Sequence, residues 1–268
     1  MKKLAILSTA ASVLLIGACA ESNAPLGAPT APVASSSSNA AGSNDNDNDN
    51  EADNANESSS AERTYRVTIE NLTTGQVFSP GVIATHTKKA SVWRNGDAAS
   101  DGIRQIAEDG SEVAEVASLT GVAGVHAVIS TGAPINRIGG IAALPQSRSY
   151  MIGAAGSANR LSVAVMIICT NDGFTGVSGV KLPGGFKAES HMVGAWDAGT
   201  EQNNEKLDQI VDPCGAVGPV ASPPDGNGRI ATSGVIATHP NIQGVGDLSV
   251  EKHGWRGAVA RITVQRMR

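Results

Sequence analysis

Thr64-Tyr-Arg-Val-Thr-Ile-Glu-Asn-Leu72 alternates without a break: Tyr65, Val67 and Ile69 fall on one side, Arg66, Thr68 and Glu70 on the other. A period of two with β-branched and aromatic residues on the apolar side predicts a strand with one face buried. Gly257–Arg266 has the same period, with Ala258, Ala260, Ile262 and Val264 opposed to Val259, Arg261, Thr263 and Gln265. Both ends of the main body are therefore expected in sheets. Between them, Val122–Ser130, Arg148–Ala154, Leu161–Cys169 and Arg229–Thr238 are short, β-branched or small, and separated by Gly, Pro and Asn turns. Leu161–Cys169 (LSVAVMIIC) is the most apolar and reads as a central core strand. One patch breaks the pattern. Ala98–Leu119 places Ile103, Ile106, Val113 and Val116 among Asp101, Glu108, Glu112 and Glu115, which predicts two short helices interrupted at Asp109-Gly110. Many short strands with no regular alternation of helices give an all-β fold, an antiparallel sandwich with a short helical insertion.

Charge divides the chain of 268 residues into three parts. Residues 1–19 carry Lys2 and Lys3 and no acid. Residues 20–62 carry eight acids and no base, leaving 18 bases and 17 acids in 63–268. The net −5 thus belongs to the N-terminal part, and the nearly neutral body lacks the basic excess expected of a nucleic-acid partner. Residues 1–18 read as a signal peptide: two lysines, then the apolar run Leu4–Ile16, too short for a comfortable membrane span. The run ends Ile16-Gly17-Ala18-Cys19, similar to a bacterial lipoprotein box in which Cys19 is lipidated and becomes the new N-terminus. Ala20 follows, where such lipoproteins retained at the inner membrane usually carry Asp, so a Gram-negative outer membrane is the expected location. The alternative is an ordinary signal peptide with a cysteine near its cut.

Residues 19–62 are rich in Ala, Ser, Asn and Asp, with almost no large apolar side chain. Such a segment cannot offset its ordering entropy by burial and reads as a disordered tether, with an r.m.s. span of roughly 35–40 Å. Its Asn/Asp alternation at 44–50 is not an EF-hand: counted from Asp45, the position needing Gly is Asn50 and the position needing Glu is Asn56. Residues 63–268 then form one folded domain.

Cys169 and Cys214 remain after Cys19. Export permits a disulfide between them, the alternative being two separate buried thiols. The hexapeptide Gly-Val-Ile-Ala-Thr-His occurs at 81–86 and again at 234–239. It marks either two equivalent strands, a histidine pair, or chance convergence of strand-forming residues, which is favoured because nothing around the two copies matches. No G-x-S-x-G, H-E-x-x-H or P-loop occurs, and Gly226-x-Gly228-x-x-Ala231 follows Pro223-Pro224-Asp225 rather than a strand, so it reads as a turn. The five histidines show no ligand spacing. The chain is not expected to be an enzyme.

The informative residues are acidic. Asn171-Asp172-Gly173 directly follows the core strand, and Trp196-Asp197-Ala198-Gly199-Thr200-Glu201 carries two carboxylates four apart around a glycine. Carboxylates on turns at the end of a sheet suit a hard cation such as calcium, which takes six to eight oxygens in flexible geometry. They equally suit turn capping by Asp172 and Asp197.

Thr170-Asn-Asp-Gly-Phe-Thr-Gly-Val-Ser-Gly-Val-Lys-Leu-Pro183, Trp196-Asp-Ala-Gly-Thr-Glu201 and Val259-Ala-Arg-Ile-Thr-Val264 resemble the spondin N-terminal domain, the family of F-spondin and mindin. Tyr65–Thr73 and Phe78-Ser-Pro80 with Thr85-His86 are similar to its bacterial lipoprotein branch. The resemblance covers the whole body in the family's order. It implies a sandwich of about eight strands of the synaptotagmin-like calcium/lipid-binding type. It also implies a calcium site made by Asp172, Asp197 and Glu201, with Glu201 standing where the family usually has Asp. No thrombospondin-type repeat accompanies the domain, so the matrix partners of the animal proteins are not implied.

The expectation is a cell-envelope lipoprotein, anchored to the membrane through its N-terminal lipid at the outer membrane or cell surface. Its calcium-binding sandwich would act in adhesion or ligand binding, toward an extracellular or envelope glycan or protein. The alternatives are a periplasm-facing structural lipoprotein and a metal-dependent hydrolase.

Overall fold

A computed structural model describes residues 61–212, 214 and 228–268. The signal peptide, Cys19, the acidic tether apart from its last two residues, and the 226–231 turn apart from its last four residues lie outside the described residues.

Eleven strands are seen among the described residues, more than the eight or so expected, in two antiparallel sheets. The first sheet has four: β1 (Arg63–Asn71), β4 (Ser147–Ala154), β8 (Glu189–Val193) and β11 (Ala260–Arg266), in the order β4-β1-β11-β8. The alternation of Thr64–Leu72 is realised: Tyr65, Val67 and Ile69 are buried and pair in register with Arg266, Val264 and Ile262. The second sheet has seven: β2 (Phe78–His86), β3 (Val125–Ser130), β5 (Arg160–Ile167), β6 (Gly173–Thr175), β7 (Val180–Lys181), β9 (Ala195–Asp197) and β10 (Ala237–Thr238). Their order is β10-β9-β6-β5-β2-β3, with β7 also on β5.

The uniform apolarity of Leu161–Cys169 has a structural cause: both faces of β5 are covered. Leu161, Val163, Val165 and Ile167 point into the core shared with Tyr65, Val67, Ile69, Ile262 and Val264 of the first sheet. Ala164, Met166 and Ile168 point the other way, onto Ile103, Ile106, Ala107 and Leu119 of the helical patch. The described domain therefore has three layers: sheet, sheet, and a cover of helices and loops.

The patch consists of helices α1 (Asp101–Asp109) and α2 (Val113–Leu119). Ser100 caps α1 by accepting from the Ile103 amide at 3.0 Å. Gly110 ends it in the left-handed region at φ 66°, where a side chain would be strained.

One expected strand is largely missing. Of Arg229–Thr238 only Ala237–Thr238 joins a sheet, with a single further bridge from Ala231 to Glu201. Thr232 and Gly234 instead donate to the carbonyls of Thr200 and Gly199, and Ile236 to Asp97. The β-branched residues here mostly face solvent, so they have no core to hold them in a ladder. The two Gly-Val-Ile-Ala-Thr-His copies fall on β2 and around β10, with three strands between them, and their histidines bond to different partners: His86 to Thr87 and Ser162, His239 to Asn241.

Candidate metal centre

The acidic residues meet at one end of the second sheet, where the turn after β5 approaches the loop after β9. Gln76 fixes that turn. Its fully buried side chain accepts from the Cys169 amide at 3.0 Å and donates to the Cys169 carbonyl at 3.2 Å and the His253 carbonyl at 2.6 Å. Cys169 is joined to Cys214 by a disulfide with Cα atoms 5.1 Å apart, which ties the 169–173 turn to the segment after Gln209. Thr170 Oγ1 then donates to the Ile167 carbonyl at 2.6 Å and accepts from the Gly173 amide at 2.9 Å. Asp172 is thereby held at the start of β6, and the ladder between β6 and β9 places Asp197 beside Gly173.

Each carboxylate meets a different environment. Asp172 is fully buried, and its Oδ2 accepts from the amides of Thr200 at 2.7 Å and Glu201 at 3.0 Å. Its Oδ1 is buried with no hydrogen-bond partner. Burial first, and the nearby Asp197 carboxylate second, push its pKa up to about 6, against the pull of those amides. Asp197 accepts from the Gly199 amide at 2.7 Å and from the Asn203 side-chain amide. Glu201 is 3 % exposed, and its Oε1 accepts from Asn171 Nδ2 at 2.9 Å. Its Oε2 has no hydrogen bond and lies 3.7 Å from Arg229 Nε. Burial dominates here too, with Glu108 and Asp172 adding repulsion, and the Glu201 pKa rises to about 8 despite Asn171 and Arg229.

The surrounding shell was not legible in the sequence. Arg229 also pairs with Asp109 at 2.5 Å and donates to the Glu108 carbonyl at 3.0 Å. Glu205 sits in the left-handed region at φ 57° and accepts from the amides of Gln243 at 2.5 Å and Val245 at 3.0 Å, while its own amide donates to Asn171 Oδ1. His239 is 6 % exposed and uses Nδ1 to accept from the Asn241 amide, leaving Nε2 buried without a partner. Desolvation lowers its pKa to about 4, although Asp197 and Glu205 oppose this.

The arrangement brings Asp172 and Asp197 together, with one buried carboxylate oxygen that has no donor and with Asp197 repelling the Asp172 charge. It does not converge all three acids. Among the described residues no group of three or more His, Cys, Asp and Glu is placed to hold one metal ion. Glu201 is turned instead toward Asn171 and Arg229.

The profile of the Spondin_N family matches residues 61–206, just over half of the chain and including Asp172, Asp197 and Glu201. The chain belongs to the spondin N-terminal domain family. No curated protein matches the chain. The sandwich expected of a spondin domain is observed, with β1, β2 and the β5–β9 region inside the matched span. Arg229 and His239 lie beyond it, so the guanidinium that faces Glu201 comes from outside the matched family core.

Proposed function

We propose that the chain is an envelope-anchored, non-enzymatic binding module whose spondin sandwich is stiffened by a calcium ion at Asp172 and Asp197. The observation that carries the calcium reading is the buried, partnerless Oδ1 of Asp172 next to a second carboxylate. When bound, the ion supplies the positive charge that these two acids lack. The loop after β9 is rich in carbonyl and amide oxygens, which a flexible oxygen-binding cation uses to complete its shell. Glu201 would join as a third carboxylate only by exchanging Arg229 for the ion, so it is the weaker ligand of the three.

The anchoring reading rests on Ile16-Gly17-Ala18-Cys19 and the acidic tether that follows. With lipid on Cys19, the domain would stand off the membrane and meet an extracellular or envelope glycan or protein. A non-enzymatic role is supported by the contact of Ser162 Oγ with His86 Nε2 at 2.9 Å, the one between a serine hydroxyl and a histidine ring among the described residues: Ser162 is fully buried and does not line a cleft. The test is a glycan and matrix-protein array probed with the full chain, with and without chelator. Specific binding that weakens in chelator supports the module. A blank array, together with a domain protected from protease on whole cells, favours the periplasm-facing structural lipoprotein.

A further inference from the structure

On the second sheet, away from the acidic loops, three cations surround a cleft of about 410 Å³ and meet no acid. Lys88 and Arg94 come from the segment after β2, and Arg160 opens β5, where it pairs in register with His86 of β2 and Lys181 of β7. Among the described residues none of Lys88, Arg94 and Arg160 makes an ion pair or a side-chain hydrogen bond. For Lys88 and Arg94, both exposed, that is ordinary solvation. For Arg160 it is not: its Nε is buried and has no acceptor. A guanidinium donor shut away from water without a partner is costly, and the partner it lacks is an acceptor.

The floor of the cleft, made by His86 and Gly179, is uncharged and is backed by the buried Ser162. The Gly179 amide donates to Ser162 Oγ at 2.9 Å, Ser162 contacts His86 Nε2 at 2.9 Å, and His86 Nδ1 meets the Thr87 carbonyl at 2.8 Å. A carbonyl only accepts, so Nδ1 carries the proton, and the chain is satisfied with a neutral imidazole. Desolvation lowers the His86 pKa against the pull of backbone hydrogen bonds to Thr87 and Ala90, and the Arg160 and Arg94 charges lower it further. His86 thus adds no positive charge of its own to the cleft. The cleft is also larger than one small ion requires and lies within the size range of small-molecule sites. Ser178 links it to an adjoining cleft of about 380 Å³, where Asn95, His191 and the partly exposed Trp196 offer an aromatic face with polar groups beside it. His191 Nε2 there is buried and unpartnered as well.

We propose that these joined clefts bind a phosphate or sulfate ester of a sugar, the tetrahedral oxyanion held by Lys88, Arg94 and Arg160 and the sugar lying across Ser178 toward Trp196. The fork of a guanidinium matches two oxygens of such an anion, and the neutral floor adds no competing charge. This site shares no residue with the calcium reading and stands or falls apart from it.

The experiment is calorimetric titration of the full chain in detergent, with chelator throughout so that calcium plays no part. The probes are glucose-6-phosphate, inorganic phosphate and glucose. Glucose-6-phosphate is expected to bind more tightly than inorganic phosphate, glucose is expected to give no heat, and binding should weaken on raising NaCl from about 20 to about 300 mM. Arg94→Gln should weaken it by about tenfold, the scale of one lost charge-assisted contact, and Arg94→Gln with Arg160→Gln by more. Arg94 is exposed, so its variant keeps the fold whatever Arg160→Gln does. Equal responses to glucose-6-phosphate and glucose, or wild-type affinity in Arg94→Gln, would overturn the oxyanion site. Equal affinities for glucose-6-phosphate and inorganic phosphate would overturn the sugar ester.

Discussion

Replacing Glu201 by Gln in calcium-free protein gives a stability difference that depends on pH, and its sign is fixed by the site. Glu201 has a folded pKa of about 8 against an ordinary value of 4.5, so between these values the folded state holds a proton that the unfolded state has lost. Stability is therefore highest at low pH and falls as pH rises through the folded value. Relative to the fully ionised folded state, the retained proton is worth RT ln(1 + 10^(8 − pH)), about 2 kcal/mol at about pH 6.5 and about 0.1 kcal/mol at about pH 9. At 3 % exposure, solvent screening does little to reduce this figure. Other groups titrate in the same range. His86, His239 and His253 all have lowered pKa values and gain stability as pH rises, while Asp172, raised to about 6, loses it. The histidine contributions are common to wild type and Glu201→Gln and cancel in the difference, and Asp172, which repels Glu201, is already mostly ionised throughout the window from about pH 6.5 to about pH 9. Urea unfolding of both proteins with excess chelator should show the variant gaining about 2 kcal/mol on wild type from about pH 6.5 to about pH 9. A gap that stays constant within about 0.5 kcal/mol would refute the claim that this carboxylate is buried without an adequate partner.

The remaining expectations are independent of that one. Changing Cys169 and Cys214 together to Ala opens a bridge of sequence separation 45 and should cost about 4 kcal/mol on the loop-entropy model, read from urea midpoints under non-reducing conditions. Gly81→Ala should destabilise by more than about 2 kcal/mol, because a Cβ there would lie 2.1 Å from the Ala164 carbonyl oxygen, backbone that can yield only by parting β2 from β5; thermal melts check it. Cys19→Ala should release the protein from membranes into the soluble fraction, and unchanged fractionation would count against the lipid anchor.

Strands whose two faces differ were legible from sequence, because one buried face imposes a period of two, as Tyr65, Val67 and Ile69 show. The helical break at Gly110 was legible for the same local reason. What escaped was set by distant contacts. Arg229–Thr238 has the composition of a strand, but its backbone bonds to the 97 and 199–200 loops instead of a ladder. Asp172 was found because it follows the recognisable core strand, and Asp197 because it stands in the Trp196–Glu201 block, with a second acid four residues on around a glycine. The burial of Glu201 against Arg229, the double amide grip on Glu205 and the orphaned His239 come from segments far apart in the chain. Their residue types carry no pattern that announces them.

Calcium titration of thermal stability tests the central claim most directly. An ion that binds the folded chain and not the unfolded one adds RT ln(1 + [L]/Kd), about 2.7 kcal/mol at about a hundredfold excess over Kd, or a rise of about 5–10 °C for a domain of this size. Asp197→Ala should remove the rise, and Glu201→Ala should reduce it less, because Arg229 already faces Glu201. Wild-type melts that coincide with and without excess calcium would contradict the account and leave Asp172 and Asp197 as turn caps.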